Sequence, residues 1–147
     1  MQDAKQIQIE EIIECSQEQL WQVLTQSEYT RQYMFNCAVT SEWIKGGSIE
    51  WEGIYQGYNA YQKGEILEIQ PFTHLQYSTF DPFYGLEDRP ENYIHVTYKL
   101  AARGTATSFT IINETFDGNV KRLQHIDEGW QMVIKKLKET AENTALV

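Results

Sequence analysis

The chain has 147 residues, the size of one domain, and a compact fold of that length hides roughly 70% of its unfolded surface. With 21 Asp and Glu against 12 Lys and Arg, its formal net charge of -9 leaves little cationic surface, which argues against binding nucleic-acid phosphates or an anionic bilayer. Apolar residues at 41% and aromatics at 13% exceed what a disordered chain carries, while no apolar run approaches the ~20 residues of a membrane span.

The opening residues, Met1 to Gln6, show no basic patch leading into an apolar stretch, so no signal peptide is expected and the cytoplasm is the expected location. Gln6 to Glu14 reads as a strand whose buried face is open. Ser16-Gln17-Glu18-Gln19 has the form of a capping box, with Leu20, Trp21, Val23 and Leu24 following at helical spacing. Ser27 before Glu28 predicts a second N-cap and a short helix through about Met34, so two short helices occupy 17–35. The two cysteines, Cys15 and Cys37, are too few for a disulfide framework and are expected to be reduced core residues.

From Cys37 to Phe116 short runs rich in Ile, Val, Thr, Tyr, Phe and Trp alternate with turn residues. Gly46-Gly47 separates a strand ending near Trp43-Ile44 from one starting near Ser48, and Gly57 to Asn59 separates that strand from the next. Pro71 closes the third, Leu75 to Phe80 forms a fourth, and Arg103-Gly104 links Tyr93–Ala101 to Thr105–Phe116. The short connections make all six antiparallel candidates, seven with the first strand. Asp81 to Asn92 is long for a hairpin loop, and loops of that kind are functional lids or mobile linkers.

Asp117-Gly118-Asn119 then supplies a turn and an N-cap. Val120, Leu123, Ile126, Trp130, Val133, Ile134, Leu137 and Ala141 recur at three- and four-residue steps as one apolar stripe. No second long helix can meet that stripe, so it must lie on the sheet, which predicts an α+β fold over residues 1–147.

This order of elements resembles the helix-grip fold of the START-like (SRPBCC) superfamily. Within it, the chain is similar to the family named after the activator of the heat-shock-protein-90 ATPase (AHSA-like). Four stretches carry the likeness: Ser16 to Thr25, Trp43-Ile44-Lys45-Gly46-Gly47-Ser48-Ile49, Gly64 to Pro71 followed by Leu75-Gln76-Tyr77, and Gly104-Thr105. Gly129-Trp130 with Val133-Ile134, Leu137-Lys138 and Glu142 adds the terminal helix. The resemblance implies a curved antiparallel sheet wrapped around the last helix, with a ligand cavity between them. It also implies a chaperone ATPase as a possible partner, or cyclase-type chemistry in the cavity.

Strand parity selects the residues that would face such a cavity. Trp51 and Tyr55 turn inward opposite Glu50 and Glu52; Tyr77 lies with Leu75 and Thr79, Tyr98 with Val96 and Leu100, and Phe109 with Thr107 and Ile111. Phe35, Trp43 and Met34 fall where the second short helix meets the sheet, and Trp130 is the strongest core candidate on the last helix. Phe35, Trp43, Trp51, Tyr55, Tyr77, Tyr98, Phe109 and Trp130 are therefore the candidate ligand-binding residues, each alternatively plain core. A ring-rich wall with scattered hydroxyls suits an apolar small molecule, aromatic or lipid-like.

Catalytic motifs are scarce, and neither a metal nor a cofactor is expected. His125, Asp127 and Glu128 fall on the polar side of the last helix, His95 alternates outward, and the acids of 81–92 are expected to be solvated. For the strand Tyr61 to Ile69, one register buries Glu68 and the other buries Glu65 and Lys63. A lone carboxylate among rings would have a raised pKa, which makes Glu68 the one candidate acid or base.

Overall fold

The computed structural model describes residues 5–144; Met1 to Ala4, on which the signal-peptide expectation partly rests, lie outside them. The element order is β1 (Lys5–Ile13), α1 (Gln17–Thr25), α2 (Ser27–Tyr33), β2 (Ala38–Ser41), β3 (Ser48–Tyr55), β4 (Tyr58–Gln70), β5 (His74–Thr79), a 3-10 turn (Pro90–Asn92), β6 (Ile94–Arg103), β7 (Ala106–Thr115) and α3 (Val120–Asn143). All seven strands join one antiparallel sheet in the order β1-β7-β6-β5-β4-β3-β2. Strands β2 to β7 form a meander, and β1 closes on β7, so α1 and α2 bridge the two sheet edges. The three helices touch one another, giving the α+β helix-grip arrangement. Among the described residues no helix is long and apolar enough to cross a membrane.

Local chemistry explains most boundaries. The Ser16 hydroxyl accepts from the Gln19 backbone N–H at 3.1 Å and starts α1. The Gln19 amide does not complete the capping box; it donates to the carbonyls of Ala141 and Thr144 and ties α1 to the end of α3. Ser27 is the first helical residue of α2 rather than its cap, which is Gln26 without a side-chain bond. Gln56 and Gly57, both at positive φ, make the two-residue turn between β3 and β4, so Tyr58 and Asn59 already belong to the strand. Trp43 and Ile44 lie outside β2: Trp43 has φ 56, its N–H donates to the Ser41 hydroxyl, and Ile44 is exposed.

The open face of β1 resolves through its partner. Ile9 pairs with Ile111 and Ile13 with Thr107, which places Ile7, Ile9, Glu11 and Ile13 on the helix side. Glu11 meets Lys138 of α3 at 3.4 Å, and Lys138 also holds Glu142 at 3.3 Å. For β4, neither register holds throughout. A bulge between Ile66 and Glu68 buries Ile66 and leaves both Glu65 and Glu68 exposed.

The inward sets on β3, β5, β6 and β7 are buried as parity predicts: Ile49, Trp51, Leu75, Tyr77, Val96, Tyr98, Phe109 and Ile111 form one cluster. Both cysteines are buried and free. Burial, reinforced by Glu142 and Glu14, pushes the Cys15 thiol up to about 11, and burial also raises Cys37. Neither thiol therefore carries appreciable thiolate near neutral pH.

The stripe on α3 divides along its length. Val133, Ile134, Leu137 and Ala141 are buried against the sheet and the short helices. Toward the N-terminal end, Ile126 and Trp130 are only half-buried and Val120 is exposed. One half of the helix packs; the other half roofs a space.

Candidate functional site

Beneath that roof lies a cavity of about 460 Å³, within the 300–1,000 Å³ range typical of small-molecule sites. Its floor is the inward face of β3 to β7, its roof the face of α3 carrying Arg122, Ile126, Gly129, Trp130 and Val133, and one end is closed by Met34 and Phe35 after α2. The lining is mostly apolar and aromatic. Rings are fixed by their neighbours: Phe35 meets Tyr55 edge-on at 5.3 Å, Trp51 meets Tyr77 at 5.9 Å, and Trp130 meets Tyr98 at 6.1 Å between centroids.

Five of the eight candidate residues line this cavity: Phe35, Trp51, Tyr55, Tyr77 and Trp130. The other three do not. Tyr98 and Phe109 are fully buried behind the wall, their rings tilted against each other at 5.6 Å between centroids, and serve the core. Trp43 borders a separate shallow groove between α2 and β2, its positive-φ backbone lying beyond the end of β2 at Ser41. Trp130 departs from its core expectation, being half-buried and facing the cavity.

Glu68 is corrected most. It is exposed, forms an ion pair with Lys45 at 2.9 Å, and does not line the cavity. Glu65 is also exposed and outside it, so neither carboxylate sits among the rings as an acid or base.

Several polar groups of the lining, the most deeply buried among them, are already engaged. The Tyr77 and Tyr98 hydroxyls share a hydrogen bond of 2.9 Å, and burial holds both phenols well above their ordinary pKa. The Thr79 hydroxyl donates to Gln62 Oε1 at 2.7 Å. Arg122, 5% exposed, donates to the Asp117 carboxylate at 2.7 Å and to the Asn92 carbonyl at 2.8 Å, and lies 5.7 Å from the Tyr84 ring centroid.

Through those contacts Arg122 fastens the long loop over the cavity's edge. Elsewhere Asp88 accepts from Lys63 and from the Tyr93 hydroxyl, which hold its carboxyl below the ordinary range. Asp81 accepts from the Phe83 N–H, and Glu87 and Glu91 flank Arg89. The segment is a tethered rim, not a linker.

Among the lining residues that the sequence reading did not select, Asn113, Arg122, Gly129 and His125 stand out. Asn113 continues the inward parity of β7 two places beyond Ile111. Arg122 stands in the first turn of α3, where the helix dipole disfavours a cation, and such a placement signals a specific partner. Gly129 sits inside a helix where glycine costs up to ~1 kcal/mol against alanine, a hint that a side chain is unwelcome there. His125, placed on the polar face by spacing, is exposed but borders the cavity mouth.

His95 lies on the opposite face of the sheet, half-buried with its ring edge-on to Phe116 at 4.7 Å. Burial lowers its pKa below 6.5, against a smaller opposing pull from Glu114. The folded state therefore favours neutral His95. Its contribution is complete above the unfolded pKa and is lost as pH falls through the lower folded value. Between about pH 7.5 and 5 the wild type should lose more stability than His95→Gln, and an NMR titration should place the imidazole below the ordinary range.

The family model described as Activator of Hsp90 ATPase homolog 1-like protein matches residues 14–142. The solution structure of a protein from Cytophaga hutchinsonii is similar, at 32% identity with a TM-score of 0.78, covering 95% of this chain and 94% of that one. CalU16 from Micromonospora echinospora shares the fold at 21% identity and a TM-score of 0.72, over 95% of this chain and 78% of that one. So does the Aha1 dimer from Colwellia psychrerythraea, at 15% identity and 0.73, over 95% and 97%. No curated protein matches the sequence.

Proposed function

This chain belongs to the Activator of Hsp90 ATPase homolog 1-like family, and from that premise we propose that it is a binding protein for an apolar small molecule, aromatic or lipid-like, held between the sheet and α3. One observation carries the proposal: the N-terminal half of α3 spans a ring-lined hollow of about 460 Å³ instead of packing on the sheet. Burying apolar ligand surface there yields roughly 25 cal/mol per Å², and the rings offer flat faces for stacking. Exposure of Glu65 and Glu68 favours binding over catalysis at this site.

Gly129 provides a test that separates binding from folding. It lines the cavity, and a Cβ built on it meets nothing within 4 Å. Gly129→Leu should fill the space with side chain while improving helix propensity by up to ~1 kcal/mol. Wild type should bind the neutral fluorophore N-phenyl-1-naphthylamine with a Kd on the order of 10 μM. Gly129→Leu should weaken it about tenfold or more with Tm unchanged or raised. A wild type that does not bind, or a variant that binds equally well, would overturn the proposal.

A further inference from the structure

Four polar side chains of the cavity lining are almost wholly buried: Tyr77, Thr79, Arg122 and Asn113. The first three have partners within the protein. Asn113 has none: it is 1% exposed, and neither its Oδ1 nor its Nδ2 finds a hydrogen bond among the described residues. Its strand partner toward the cavity floor is Val96, and Ile94 lines the same wall. A carboxamide in such surroundings has surrendered its bonds to water without replacement, an outcome that buried polar groups rarely show. Thr115 Oγ1 is also unpartnered but does not line the cavity.

We propose that Asn113 recognises the head of the ligand, and that this head is a neutral cis-amide edge: a lactam, a primary carboxamide or an imide. The inference rests on the cavity being a ligand site, as set out above, and deepens it by naming what the apolar body must carry. A carboxamide offers one acceptor and one donor side by side, and a cis-amide offers the reciprocal pair in the same plane. Interchanging the amide's oxygen and nitrogen leaves the pattern intact, so the match does not depend on which way the group is turned. The head is neutral because the cavity has no spare buried counter-charge: Arg122 is committed to Asp117 and the Asn92 carbonyl. A carboxylate placed beside Val96 and Ile94 would lose its hydration without gaining a cation.

The experiment compares three ring systems of nearly equal size, displacing N-phenyl-1-naphthylamine from the intact chain. They are 2-quinolone, which presents N–H and C=O on one edge, 1-methyl-2-quinolone, which lacks the donor, and 2-methylquinoline, which lacks the carbonyl. Wild type should prefer 2-quinolone by about tenfold or more over both analogues. Only 2-quinolone should shift the Asn113 side-chain NH₂ resonances as a paired donor and acceptor would. Asn113→Leu should erase the preference while retaining the fluorophore, and removal of an unpartnered buried amide should leave its Tm equal or higher.

Equal affinities in wild type overturn the inference, as they would if trapped water served the amide in every complex. A preference that survives in Asn113→Leu overturns it too. The wild-type comparison and the NH₂ shifts decide the matter even if the variant does not fold. If the fluorophore itself does not bind to wild type, the ligand-site proposal falls first and this inference with it. Binding of the fluorophore without discrimination sinks this inference alone.

Discussion

Gly64→Ala is expected to remove more than about 4 kcal/mol of stability, or to prevent folding outright, at a position in an ordinary-looking strand. A Cβ at Gly64 would stand inside the backbone carbonyl of Ser78 on the neighbouring strand. The obstacle is main chain on both sides, so no rotamer change relieves it; β4 and β5 would have to separate. They are already distorted here. The Glu65 N–H is satisfied by the Ser78 hydroxyl at 3.0 Å, and the ladder resumes only with Lys63 opposite Phe80. A glycine at such a point marks close approach of two backbones. The close approach adjoins the register shift between Ile66 and Glu68. Against a total stability of 5–15 kcal/mol, urea unfolding should show little or no folded Gly64→Ala under conditions where wild type is native. Gly129→Ala, whose Cβ meets open space, should be neutral or up to ~1 kcal/mol more stable. Similar behaviour of the two variants would show that β4 and β5 can part at little cost.

The contrast between these two glycines also shows what was legible in the sequence. Period and punctuation carry the element order, because alternation in strands and three-four spacing in α3 record which face leaves water. The faces of Trp51, Tyr77, Phe109 and Ile111 followed from that alone. What parity cannot convey is depth. Tyr77 and Tyr98 both point inward and bond to each other, yet only Tyr77 reaches the cavity. Trp130 and Leu137 share one stripe, yet one faces a hollow and the other is fully buried. Those differences depend on how far α3 stands from the sheet at each turn, a tertiary distance that no local pattern encodes. Register errors had local causes instead. The bulge after Ile66 changed the face of Glu68, and Trp43, at positive φ, lies beyond the end of β2. Asn113 was readable as inward, but its lack of a partner becomes visible only when the surrounding strands are in place.

Arg122→Met should cost about 3–5 kcal/mol, the usual penalty for leaving one member of a buried ion pair without its partner. Asp117 is 11% exposed at its side chain and Arg122 5%, so water compensates poorly for the lost guanidinium. The Asn92 carbonyl loses its donor in the same step, and Tyr84 loses the cation beside its ring. Breaking the pair differs from its net worth: with both charges removed, the desolvation cost disappears as well. The double variant Arg122→Met/Asp117→Asn should therefore recover a large part of the loss, and the cycle should give a coupling of 0.5–3 kcal/mol. Because Arg122 joins the start of α3 to the 81–92 rim, hydrogen exchange should accelerate first at the Tyr84 and Tyr93 amides, which bond to Asp81 and Pro90. The amides of β7 should slow or quicken only with global stability. Uniform acceleration throughout the sheet would make Arg122 a general core contributor and not the fastening of the rim. Selective release of the rim would identify this buried charge as what holds the cavity's edge in place.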